Sequence, residues 1–148
     1  MYHPVDEHPE FIELTNVGST SIDLSPFKFS KGIESDLSKL ASTSLAPKAR
    51  LVLTSNVEHF ASAYPKLKDI QLHPWDSGKL ANKGEHLVLS RSDHTPICEV
   101  RYDDAAPWPT SADGSGHSLE RVGAEDGFEA SSASAWQAST EKGGSPGR

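Results

Sequence analysis

Apolar and polar positions alternate along much of this chain, in runs that are short and punctuated by turn residues. Glu10 to Asn16 reads EFIELTN, placing Ile12 and Leu14 on one face and Phe11, Glu13 and Thr15 on the other, the two-residue period of a half-buried strand. Asn16-Val17-Gly18-Ser19 supplies a turn. Ser21 to Ser30 (SIDLSPFKFS) alternates through Ile22 and Leu24 and resumes at Phe27 and Phe29 beyond Pro26. Proline has no amide to give a ladder, so this pattern predicts a strand bent or broken at Pro26 and lying near a sheet edge. Residues 31 to 50 predict little more than a weak short strand and a loop. Arg50 to Thr54 (RLVLT) is a compact strand, after which Ser55 or Asn56 can cap a brief helix through His59 and Phe60 to Tyr64, stopped by Pro65.

Gln71 to Gly84 reads as connection, with Trp75 and Leu80 as anchors and Asn82-Lys83-Gly84 as a turn. Glu85 to Arg91 (EHLVLSR) and Pro96 to Tyr102 (PICEVRY) are two strands joined by Ser92-Asp93-His94-Thr95, a hairpin loop by length and composition. In the second strand Cys98, Val100 and Tyr102 share a face, which makes Cys98 a small core residue. His117 to Val122 forms a short strand, Gly123 to Ser134 is acidic and rich in small residues, and Ala135 to Ser139 gives a last strand anchored by Trp136. Short strands, many turns and one brief helix predict an all-β fold, an antiparallel sandwich with long loops and at most one short helix. Residues 1–9 stand outside this pattern as an N-terminal extension of a domain covering 10–147.

The densest local instruction lies between two of these strands, in Tyr102 to Arg121 (YDDAAPWPTSADGSGHSLER). Two acids, the pair Trp108-Pro109 and the run Asp113-Gly114-Ser115-Gly116 specify a shaped loop.

Composition narrows the function classes. A chain of 148 residues suits one domain with a proper core. The formal charge is −7, and eight acidic against three basic residues fall between Asp103 and Arg148. Such a surface repels a phosphate backbone, so nucleic acid is an unfavourable partner. Cys98 is the single cysteine, which leaves no intramolecular disulfide or thiolate cluster. No apolar run approaches the ~20 residues of a membrane span. The opening MYHPVDEHPE lacks the layout of a signal peptide. With a closing Gly143-Gly144-Ser145-Pro146-Gly147 of boundary composition, the chain reads as a domain from a longer extracellular protein or as an intracellular one.

The order of several short motifs is more specific than any one of them. The opening EFIEL strand is followed by Thr15-Asn16 and Gly18, the turn Gly78-Lys79-Leu80-Ala81-Asn82-Lys83-Gly84-Glu85, and Val100-x-Tyr102. Then come Trp108-Pro109, Asp113-Gly114-x-Gly116-x-Ser118-Leu119-Glu120, and a close from Trp136 to Gly147. Together they resemble the lamin tail domain in its bacterial form, from about Glu10 to Gly147. The resemblance implies an immunoglobulin-like antiparallel β-sandwich. It also implies a non-catalytic module for protein interaction, surface attachment or scaffolding within a larger bacterial extracellular or envelope protein, beside catalytic or adhesive domains. Animal members close nuclear intermediate-filament proteins, contact proteins and in some cases bind DNA, but no sustained heptads of a filament rod are present here. Cys98 stands where bacterial relatives often have Asp.

Each chemical candidate has a plainer counterpart. Asp103, Asp104 and Asp113 flank a Gly-rich loop and offer the hard oxygen ligands of calcium, although their spacing is not that of an EF-hand; capping of turn amides is the plainer role. The seven histidines are scattered without the spacing of a zinc site. Gly114-Ser115-Gly116-His117-Ser118 lacks the order of a nucleophile elbow. Lys28, Lys31, Lys39, Lys48 and Arg50, interleaved with Phe27 and Phe29, offer a face for single strands or acidic glycans, against a core role for the two aromatics. Trp108 and Trp136 read as buried anchors along with Tyr102, Gly114 and Gly116, and Trp75 as anchor or sugar platform. Glu13 faces solvent or a cation such as Arg121. These readings favour a non-enzymatic module with an unidentified protein or surface ligand and no cofactor. A calcium-dependent or carbohydrate-binding accessory of a secreted hydrolase is the alternative.

Overall fold

The computed structural model describes residues 1–5, 8–123 and 130–148; part of the acidic stretch after Gly123 lies outside them. Among the described residues twelve strands and one α-helix are arranged as an all-β sandwich. The larger sheet has the order β10-β9-β3-β4-β8, from β10 (Pro96–Tyr102), β9 (Glu85–Arg91), β3 (Phe27–Lys31), β4 (Ile33–Asp36) and β8 (Ser77–Gly78). The facing sheet has the order β1-β6-β7, from β1 (Phe11–Thr15), β6 (Arg50–Thr54) and β7 (Gln71–Pro74). Two small pairs complete the fold, β2 (Ile22–Asp23) with β5 (Ser44–Leu45), and β11 (Leu119–Arg121) with β12 (Trp136–Ala138).

Why RLVLT is apolar without alternation is clear from what lies on its two sides. Leu51 and Leu53 enter the main core with Ile33, Phe29, Leu87 and Leu89, while Val52 joins a second cluster with Met1, Phe11 and Phe60. A strand covered on both faces has no polar side to show. The cover on the outer side is α1 (Val57–Ala63), whose Phe60 meets Phe11 edge-on at 5.5 Å between ring centroids. Asn56 caps the helix, its Oδ1 accepting from the His59 amide at 2.8 Å. Phe11, on the face of β1 shared with Glu13 and Thr15, is therefore buried under α1, and Ile12 and Leu14 pack on the main core.

Several expectations are corrected. The sandwich is not wholly antiparallel: β6 and β7 run parallel, joined through α1, because a strand that returns by a helical crossover keeps its direction. Gln71 to Pro74, read as connection, is a strand by virtue of that pairing. The predicted break at Pro26 falls between β2 and β3, but β3 lies inside its sheet, between β9 and β4. The ladder of β3 starts after the proline and so never needs its missing amide. Residues 31 to 50 hold β4, a 3-10 turn at Leu37–Lys39 and β5. Cys98 is exposed, not a core residue. It pairs with Leu89 beside an irregular register at the start of β10, an outer strand whose burial begins only at Val100 and Tyr102. At the N-terminus Met1 and Tyr2 are buried, and the Met1 amine donates to the Phe11 carbonyl at 2.8 Å.

Candidate functional site

The loop after β10 is built on side chains that turn inward. Tyr102 is buried at the end of the strand and its hydroxyl donates to the Ala81 carbonyl at 2.8 Å. Asp103 follows as an exposed residue whose Oδ1 accepts from the Ala105 amide at 2.9 Å, the local turn that aspartate forms readily. The Trp108 amide donates to the Ala105 carbonyl at 3.0 Å, and the indole is buried against the half-buried Trp136, with ring centroids 6.3 Å apart. A 3-10 turn at Thr110–Ala112 then delivers Asp113 to the N-terminal segment. There Asp113 forms a parallel bridge with His3, and its carboxylate meets the His3 Nδ1 at 2.5 Å.

The two glycines complete the arch. Gly114 has a φ of 66°, and a Cβ there would come 3.1 Å from the His3 ring; Gly116 has a φ of 86° and its carbonyl accepts from the Gly143 amide at 2.6 Å. His117 Nδ1 lies 2.7 Å from the Ser139 carbonyl. The loop thus rests between the N-terminal residues and the chain from Ser139 to Gly143.

Asp103 and Asp113 are accounted for by these contacts, and Asp104 is half-buried next to them. Among the described residues no three His, Cys, Asp or Glu side chains are gathered so as to hold a metal ion. The calcium expectation for Asp103, Asp104 and Asp113 thus lacks its geometry. The apparent elbow also dissolves: the imidazole of His117 is engaged with a carbonyl, and Ser118 Oγ lies toward Glu120 at 3.4 Å. Phe29 is in the core, and Phe27 packs against it with Arg91 above its ring at 5.5 Å, so the aromatics of the basic stretch serve the interior. Trp75 is buried and its indole donates to the Gly78 carbonyl at 3.1 Å, which removes it as a sugar platform. Glu13 pairs with Arg50 at 2.7 Å, across the strand pair, not with Arg121.

Sequence reasoning missed the two carboxylates that hold the Gly78 to Glu85 turn. Glu10 accepts from the Leu80 amide at 3.0 Å and Glu85 from the Ala81 amide at 3.1 Å. Burial raises the Glu10 carboxyl above the usual range, opposed by that amide bond. A glutamate at the head of a strand carries no local signal of such a reach, since Glu10 and Leu80 are 70 positions apart. Gly84, in the same turn, has a φ of 101° and would place a Cβ 2.7 Å from the Tyr102 carbonyl, so the turn and the loop after β10 press backbone on backbone.

On the outer face of the large sheet lies a shallow, open depression of about 210 Å³, lined by Lys28, Ser30, Glu34, Asp36 and Asp76 among others. Two of its carboxylates are engaged: Asp76 with Lys39 at 2.7 Å and with the Asp36 amide at 3.0 Å, and Asp36 with the Ser38 amide at 3.0 Å. Fold and loop together define a β-sandwich whose most distinctive loop is structural. No family model, curated protein or solved structure matches the chain.

Proposed function

We propose that this chain is a lamin-tail-like, immunoglobulin-like module without catalytic activity. It serves protein interaction, surface attachment or scaffolding within a larger bacterial extracellular or envelope protein. One observation carries the reading: the residues on which the resemblance rests are committed to architecture. Asn16 closes the first turn, the Gly78 to Glu85 turn is held by Glu10 and Glu85, and Tyr102 and Trp108 fill the core. Asp113 and Gly116 link the loop to the two ends of the described chain. A sequence that spends its specific motifs on shape offers a rigid surface, and sandwiches of this kind host function on such surfaces.

The test is made in the longest reading frame that contains these residues. Deleting 10–147 is expected to leave the turnover of any neighbouring catalytic domain unchanged and to release the protein from the cell surface. Loss of chemical turnover with surface retention intact would reverse the assignment. A glycan array on the isolated chain separates the scaffold from a sugar binder, because the scaffold shows no binding.

A further inference from the structure

Among the described residues the longest outer strand is β10, with seven residues against five in β1, four in β7 and two in β8. β10 is the outer strand of the five-stranded sheet, and among the described residues no strand lies beyond it. The outer side of β1 is partly taken, since the Phe11 amide donates to the Met1 carbonyl. Natural edges are usually guarded by proline, by bulges or by charges of one sign. β10 has the first two only at its start, in Pro96 and the register shift that follows it. From Cys98 to Tyr102 the strand pairs regularly with β9, so its far side presents an ordered row of amides and carbonyls.

The charges on that regular stretch are of opposite sign. Glu99 and Arg101 are both exposed and, two residues apart, share a face of the sheet. Glu99 is engaged with His86 at 2.7 Å but its side chain remains half exposed. Arg101 stands across from His86 and makes no ion pair among the described residues. A spacing of two is what a two-fold antiparallel pair can match. With the axis at Val100, each Glu99 lies directly across from Arg101 of the other copy, and opposite charges placed so attract.

We propose that the chain self-associates through β10, residues Cys98 to Tyr102 pairing antiparallel with the same residues of a second copy about an axis at Val100. The two large sheets become one continuous sheet, and the surface offered to that partner is the strand edge itself. This inference is independent of the module reading above, which concerns the parent chain and survives a monomeric result.

Sedimentation velocity from micromolar to millimolar protein tests it, in a Cys98→Ser background that keeps disulfides out. The background protein is expected to dimerise. Arg101→Glu sets Glu99 across from a carboxylate, and Glu99→Arg sets two guanidinium groups together. Each is expected to weaken the dimer by about tenfold or more, and the double exchange to restore it. Arg101→Glu leaves the His86 contact of Glu99 in place, which separates the interface from that local pair. Val100→Cys, directly on the axis, is expected to give a covalent dimer on mild oxidation, and Arg101→Glu to suppress it. A monomer at millimolar concentration overturns the proposal. So does a dimer indifferent to both single exchanges, or one that the double exchange fails to restore.

Discussion

Asn16 shows how much one side chain can decide. It is 1% exposed, and its amide group donates to the Thr20 carbonyl at 2.8 Å and the Leu45 carbonyl at 2.9 Å while its Oδ1 accepts from the Gly18 amide. Both kinds of bond are needed, so an isosteric carboxylate fails where an amide fits. Asn16→Asp puts a charge against two carbonyl oxygens and is expected to lower stability by about 3 kcal/mol or more at neutral pH. Urea unfolding of the two proteins measures it, and a loss below 1 kcal/mol would mean that the buried geometry is not as described. The turn at Asn16 to Ser19 was legible, because an asparagine with a glycine two residues on, after a strand, has a local meaning. The partner at Leu45 was not, since it comes from a strand 29 positions away. Cys98 failed for a related reason: alternation gives the face a residue shares, but not whether the opposite layer extends far enough to cover it.

At the level of elements, the helix is where local and distant instructions meet. Its start was readable from Asn56 and its stop from Pro65, but its task was not, because nothing near residue 60 announces that Phe11 and Val52 lie beneath it. Capping and burial therefore contribute on different scales. Asn56→Ala removes one bond to a partly exposed amide and is expected to cost about 1 kcal/mol. Phe60→Ala empties the centre of the second cluster and is expected to cost about 3 to 5 kcal/mol. Because α1 also connects β6 to β7, the second change should loosen the parallel pair as well. Hydrogen exchange at Leu72 and His73, which lie in register with Val52 and Leu53, reads that coupling. Exchange that speeds up in α1 alone would show the helix to be an ornament on an independent sheet. The antiparallel hairpin of β9 and β10 was read to the residue, as expected of strands joined by a four-residue turn; the parallel pair, closed by a crossover, had no comparable local signature.

The whole molecule is tied together at its three tyrosines. Tyr2 and Tyr102 meet with tilted rings, centroids 4.5 Å apart, in the main core, and Tyr64 covers the second cluster, its hydroxyl donating to the Gly143 carbonyl. Burial pushes the Tyr2 and Tyr64 phenols up to about 12, Tyr2 with help from Asp113, and pushes Tyr102 up as well, Glu85 adding to the effect. An acid whose folded pKa is raised holds its proton in the folded state after the unfolded chain has released it. The stability this gives is fully present below the ordinary phenol value of about 10 and is lost as pH climbs from there toward 12. Absorbance at 295 nm, followed together with far-ultraviolet circular dichroism, gives the readout. All three of the chain's tyrosines should stay un-ionised at pH 10, and the phenolate signal should then appear in one step with loss of the sheet. The melting temperature should fall across the same interval. A phenol that ionises near 10 while the dichroism is unchanged would place its ring in water. For Tyr2 that result would also detach the N-terminal residues from the core, and with them the bridge between His3 and Asp113 that shapes the loop after β10.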